Sequence, residues 1–287
     1  MKWNRFYSAM ITLSAAVFVA SLGITPIASG AVCPEPAGRS MMSFTNNPHL
    51  EDVVFDGRYA YGADAFGLAI WDFVDPDNPV HVAHWEAPQA AQGVALGPGN
   101  VVLLADWCSG LFLIDVSDPF SPHAVSQYDG GGCYSASFVS GNTAFLAAGN
   151  HGLEILDISD PAAPQLLGAY DTSGSVTEVL VSSNVAFVAD GGSGLAIVDV
   201  SNPESPQLLG SVDTPGWAYG VGLSGNLALI ADDSAGVAII DVSDPGSPQT
   251  VGTFASGTAR NVDASGSTAY VAGGYSGLQI LDISNPA

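Results

Sequence analysis

The feature that most constrains this chain is a phrase repeated six times. Each copy takes a Gly-hydrophobic step, a β-rich run ending in Asp, and then Ser-Asp-Pro or a close variant. The copies end on Asp72, Asp115, Asp157, Asp199, Asp241 and Asp282, at intervals of 43, 42, 42, 42 and 41 residues. Repeats of about 40–45 residues with four strands each read as propeller blades, stacked so that neighbours bury one another's faces. The spacing predicts an all-β β-propeller of about six four-stranded blades over 49–287. Its blades start near residues 49, 90, 133, 175, 217 and 258.

The fifth copy shows how a blade is written. Ala218–Ser224, Leu227–Asp232, Val237–Val242 and Gln249–Phe254 are short runs of β-branched or small apolar residues between Gly, Asn, Asp, Ser and Pro clusters. Such a pattern is an antiparallel meander, its strands lettered a to d from the axis outward. In Asp241-Val242-Ser243-Asp244-Pro245 the proline fixes its own φ and pushes Asp244 toward extended backbone. Asp and Ser side chains then accept local N–H groups. The six anchoring aspartates are therefore expected to build turns. A second proline, such as Pro206 or Pro248, opens the outer strand and blunts its free edge. The sixth copy stops at Pro286-Ala287, where its outer strand should begin. Either Arg39–Phe44, within the segment 32–48, supplies that strand and latches the ring, or the sequence is a fragment of a longer protein.

Charge narrows the partners. The chain carries 28 acidic residues against five basic ones, a formal net charge of −23. Phosphate binding rests on Lys and Arg, so nucleic acid is disfavoured, as is an anionic membrane surface. Lys2 and Arg5 precede an apolar run from about Met10 to Ile24 and then small residues through Ala31. Basic, apolar, small is the order of a secretory signal peptide, read here over 1–31, with no membrane span left in the mature chain. Export makes disulfides permissible. Cys108 and Cys133 fall toward the same rim of neighbouring blades and could bridge; two buried thiols are the other reading. Cys33 is then left free, intermolecular or lipidated.

The strand-c phrases Leu195-Ala196-Ile197-Val198-Asp199, Leu153-Glu154-Ile155-Leu156-Asp157 and Leu278-Gln279-Ile280-Leu281-Asp282, with the Ser-Asp-Pro or Ser-Asn-Pro that follows, resemble the LVIVD-repeat family of secreted or surface-attached proteins. The likeness runs from about Leu50 to Pro286. The first copy departs most, with Trp71 at the penultimate position and Phe73-Val74-Asp75 after the anchor. The resemblance implies a β-propeller and export, and it supplies no catalytic residues.

Function is expected where the copies disagree. In such blades the b-c and d-a turns share one face, and these turns diverge while the c-d turns repeat. Divergence on one rim suits a recognition face; drift in solvent loops looks the same. Candidates on that rim are Trp85, Trp107, His151, Trp217, Tyr219 and Tyr275. Flat rings beside carboxylates suit sugar rings or a peptide with basic groups. Aromatics also fill wedges between blades, and for Trp71 that packing reading is preferred. The acids Asp64, Asp106, Asp190, Asp232 and Asp233 raise a calcium site, but no dense ligand loop accompanies them, and solvated turn acids are the better reading. Aligned inner strands place Glu51, Gln92, Ser135, Thr177, Tyr219 and Arg260 in one column, where Glu51 and Arg260 could pair and latch the ring. Metal-site and nucleophile motifs are absent. The expectation is a secreted or cell-surface, non-catalytic propeller that binds extracellular carbohydrate or protein, with no catalytic residues, metal or cofactor. The second reading is a metal-assisted hydrolase with an axial pocket.

Overall fold

A computed structural model describes residues 50–286. Residues 1–31, read above as a signal peptide, the segment 32–48 and Cys33 lie outside them. Blade one holds β1 (Leu50–Phe55), β2 (Tyr59–Asp64), β3 (Gly67–Asp72) and β4 (Val80–Glu86). Blade two holds β5 (Gly93–Leu96), β6 (Val101–Ala105), β7 (Leu111–Asp115) and β8 (His123–Tyr128). Blade three is β9 (Ala136–Ser140), β10 (Thr143–Ala147), β11 (Leu153–Asp157) and β12 (Gln165–Tyr170). Blade four is β13 (Glu178–Ser182), β14 (Val185–Ala189), β15 (Leu195–Asp199) and β16 (Gln207–Val212). Blade five is β17 (Gly220–Ser224), β18 (Leu227–Ala231), β19 (Val237–Asp241) and β20 (Gln249–Phe254). Blade six has three strands, β21 (Asn261–Ser265), β22 (Thr268–Ala272) and β23 (Leu278–Asp282). Each sheet is an antiparallel meander in sequence order, as the repeat predicts. The only helical element among the described residues is a 3-10 turn at Gly274–Ser276. No helix there is long and apolar enough to cross a membrane.

Local chemistry accounts for the turns. Each anchoring aspartate accepts the backbone N–H two residues on: Asp115 from Ser117 at 2.7 Å, Asp157 from Ser159 at 2.8 Å and Asp241 from Ser243 at 2.9 Å. Asp72, Asp199 and Asp282 do the same with Val74, Ser201 and Ser284. These bonds favour the carboxylate, and all six aspartates are held below their usual range. For Asp72 the largest cause is the Arg58 guanidinium, at 2.7 Å. The second acid of the phrase repeats the device, Asp160 accepting from Ala162 and Asp244 from Gly246. A β-bulge between strands c and d recurs in all five complete blades, for example at Ile155/Leu156 and Ile197/Val198. An extra residue there bends the outer strand and sharpens the twist.

The core lies between blades. One face of blade three (Phe145, Ala147, Leu153, Ile155) packs on Val176, Val179, Val188 and Val198 of blade four, and four other wedges repeat the arrangement. Strands b and c are covered on both faces, hence their near-continuous apolar runs. Trp71 is buried in blade one, edge-on to His81 at 5.6 Å. The apolar cluster around it (Leu50, Ala60, Ala69, Phe73) draws its residues from blade one alone.

A disulfide joins Cys108 in the b-c turn of blade two to Cys133 in the connection entering blade three, closing 25 residues of sequence. A loop of that length in the unfolded chain predicts that Cys108→Ser/Cys133→Ser costs about 3 kcal/mol of stability in chemical denaturation. A loss under about 1 kcal/mol would show that the bridge closes no entropy-rich loop.

Candidate functional site

The b-c turns are stitched to the following blade. Single antiparallel bridges join Trp107 to Tyr134, Gly149 to Val176, Gly191 to Ala218 and Asp233 to Ala259. Behind these bridges stand the turn acids, and here the structure corrects the sequence reading. Asp64, Asp106, Asp190 and Asp232 are buried, not solvated. Asp190 accepts the Thr172 hydroxyl at 2.6 Å and the Gly174 N–H at 2.9 Å. Asp232 accepts Thr214 at 2.7 Å and Gly216 at 2.9 Å. Asp64 takes Phe66 N–H, Gly67 N–H and the His84 ring. Asp106 accepts Gln89 N–H at 3.0 Å. Burial raises the carboxyls of Asp190 and Asp106. Asp106, Asp190 and Asp232 tie the d-a connection entering their blade to its b-c turn, whereas Asp64 ties its own b-c turn to β4. Among the described residues, no three His, Cys, Asp or Glu side chains are grouped to hold a metal ion.

The inner strands enclose an axial channel of about 1090 Å³. Trp107, Trp217, Tyr219 and Arg260 line it on the b-c/d-a side. Trp107 is 46% exposed and sits at φ 45°, in the left-handed region. Blades three, four and six place Gly149, Gly191 and Gly274 in that turn position, at φ 59°, 52° and 54°. A Cβ-bearing residue there costs about 1–2 kcal/mol. Asp233, at φ 48°, is the other exception. Trp217 is 42% exposed and its indole lies over Gly191 and Gly192. A Cβ on Gly191 would come within 2.8 Å of that ring. The Arg260 guanidinium stacks on Tyr219 at 4.2 Å and pairs with Asp233 at 3.5 Å. Its ion pair is thus with the preceding blade, in place of the latch to Glu51 that the repeat alignment suggested.

Deeper in the channel is a group the sequence reading missed. Glu178 accepts the Val221 N–H at 2.9 Å. Gly220 leaves the room it needs, since a Cβ there would stand 2.9 Å from Glu178 Oε2. Burial pushes the Glu178 carboxyl up to about 8; Asp52 and Asp263 add to the rise, while Val221 N–H and Asn261 oppose it. Asp52, at the same level of blade one, accepts Val94 N–H at 2.9 Å. The signal was there in the column Asp52, Gly93, Ala136, Glu178, Gly220 and Asn261, where small residues stand beside long ones.

The other sequence-predicted residues scatter. Trp85 packs on Phe112 at 5.1 Å in the wedge between blades one and two, away from the mouth. His151 is half-exposed and 3.8 Å from Glu154, a buried acid that also accepts the Tyr128 and Tyr134 hydroxyls. Tyr275 belongs to the 3-10 turn Gly274–Ser276.

Three solved structures share the fold at low identity. The computationally designed Ika8 protein matches with a TM-score of 0.64 and 11% identity, over 82% of this chain and 71% of its own. A protein from Lactobacillus plantarum gives 0.69 and 14%, over 77% and 76%. The WD40 domain of Neurospora crassa Pan2 gives 0.64 and 15%, over 83% and 76%. No curated protein sequence matches the chain. The LVIVD repeat matches residues 90–130, 136–172, 173–214, 215–255 and 256–287. The divergent first blade is left outside these five matches, which nevertheless span well over half of the sequence, and the chain belongs to the LVIVD-repeat family.

Proposed function

We propose that this chain is a secreted or cell-surface binding propeller without catalytic activity, taking a carbohydrate or protein ligand at the channel mouth on the b-c/d-a face. The observation that carries the reading is Trp107: a large ring held in left-handed backbone, where three other blades use glycine, with its indole open to solvent. Strain kept at one divergent position, beside a cavity and a second exposed indole, fits a recognition role better than drift. The basic, apolar, small order of residues 1–31 supports export. Arg260 is already engaged by Asp233 and Tyr219, and the channel wall is acidic, so neutral or cationic ligands suit it better than anionic ones.

The test is a binding screen of the mature protein against neutral oligosaccharides and Lys/Arg-bearing peptides. Any hit should weaken about tenfold or more on Trp107→Ala and on Trp217→Ala, with unfolding midpoints near wild type. Hits that survive both substitutions at full strength would put recognition elsewhere. The hydrolase reading finds its one support in the raised carboxyl of Glu178. A hydrolytic activity abolished by both chelation and Glu178→Gln would replace the binding reading with that one.

A further inference from the structure

The axial channel changes character with depth. Each inner strand starts at the b-c/d-a face, so position along it measures depth below the mouth. Trp107, Trp217, Tyr219 and Arg260 stand at the top. One residue below Tyr219 and Arg260 in the repeat alignment come Asp52, Glu178 and Asn261. Two residues further down are Val54, Phe138 and Leu180, with Asp263 at their level. The lining thus passes from aromatic to acidic to mainly apolar. Its acids are Glu51, Asp52, Glu178 and Asp263, and its one base is Arg260.

That charge is not balanced from within. Arg260 is held at the mouth by the Tyr219 ring at 4.2 Å and by Asp233 at 3.5 Å, so it is turned to the rim and not to the acids below. Glu178 faces Asp52 from β1 and Asp263 from β21, while Asn261 and the Val221 N–H are its neutral donors. Burial, and after it the nearness of those two acids, keeps a proton on Glu178 up to about pH 8. A cation seated among the three carboxyls supplies the same compensation and takes the proton's place.

Geometry selects the kind of cation. The acids come from different blades and do not converge, and among the described residues no three His, Cys, Asp or Glu side chains are grouped to hold a metal ion. Calcium draws six to eight oxygens in around itself. An ammonium group asks for less, because its three N–H donors point outward to separated acceptors. Its alkyl stem is sheathed by apolar surface, and indole faces attract the positive end as it passes. The half-exposed rings of Trp107 and Trp217 at the mouth offer both.

We propose that the acidic waist of the channel seats a primary ammonium carried on an alkyl chain, held between Glu178, Asp52 and Asp263. This rests on the binding reading above and names its ligand class. The stem reaches the waist past Trp107 and Trp217. A lysine side chain of a partner protein and a free aliphatic diamine share this chemistry.

The experiment is titration calorimetry of the mature protein with cadaverine and with a capped Gly-Lys-Gly peptide, each beside its N-acetylated form at fixed ionic strength. Saturable one-to-one binding that acetylation abolishes is expected from the peptide, the diamine or both, and the pattern identifies the source. Affinity should fall at least about tenfold from about pH 8.5 to about pH 6, as a proton competes for Glu178. Glu178→Gln should weaken binding about tenfold or more at the higher pH and flatten that dependence, with its melting curve confirming a folded protein. Absence of amine binding, binding indifferent to acetylation, or full affinity in Glu178→Gln would overturn the proposal. Ligands that need Trp107 but ignore Glu178→Gln would do the same while leaving the binding reading in place. Amine binding lost in Glu178→Gln yet unchanged in Trp107→Ala and Trp217→Ala would uphold the seat and refute recognition at the mouth.

Discussion

Replacing Asp232 with alanine should cost about 3–5 kcal/mol, enough to lower the denaturation midpoint sharply in a domain of this size. The carboxylate is buried and accepts both the Thr214 hydroxyl and the Gly216 N–H, so its removal strands two donors away from water. Asp190 repeats the geometry with Thr172 and Gly174, so Asp190→Ala should lose a similar amount. The sites lie in different blades and share no partner, so the two losses should add. Asp241→Ala is the contrast, because its turn is open to water and the freed Ser243 N–H is simply solvated. Urea denaturation of the three variants checks the ranking. Equal losses at Asp232 and Asp241 would mean that burial of the rim acids contributes nothing.

Glu178 should give the protein a stability that falls as pH rises. Its folded-state carboxyl is raised from 4.5 to about 8, so between those values the folded chain holds a proton that the unfolded chain has released. Stability then decreases across that window, being fully present below about 4.5 and lost by about 8. The side chain keeps some access to channel water, which places the loss on the order of 2–4 kcal/mol. Burial raises Asp263 in the same direction. The six turn aspartates, held low, act oppositely, and their contribution disappears as pH falls below the usual aspartate range. The stability optimum should therefore be mildly acidic. Glu178→Gln keeps an acceptor for Val221 N–H without the charge, so its melting temperature should exceed wild type at pH 8–9 and converge with it near pH 5. Parallel curves for the two proteins over that range would refute the assignment.

What the sequence disclosed, and what it hid, divides by distance along the chain. The Asp and Ser-Asp-Pro turns were readable because Asp157 bonds to Ser159 and Asp160 to Ala162, two residues away. The period placed the blades for the same reason: each copy carries its own strands and breakers. The buried state of Asp190 and Asp232 was not readable from their turns, since the burying donors sit 16 and 18 residues upstream in another connection. Glu178 was harder still, because its partner Val221 lies 43 residues on, across a blade boundary. Trp107 was half legible. Its position against Gly149, Gly191 and Gly274 is visible once the b-c turns are aligned, but only the backbone reveals the strain. Trp85 and Trp217 looked alike in sequence. One residue's phase within β4 sends Trp85 into the wedge, whereas Trp217 stands just before β17 and rests on two glycines.

The stitches between each b-c turn and the next blade have a consequence for recognition. Trp107 is pinned on both sides, by its bridge to Tyr134 and by the adjoining Cys108–Cys133 bond, and Trp217 is seated on the neighbouring turn. Backbone held in place before an encounter surrenders little freedom on contact. On the proposed binding reading, such a mouth would discriminate by shape in the manner of a rigid mould, and its preferences would be rewritten one turn at a time while the stitched frame beneath stays the same.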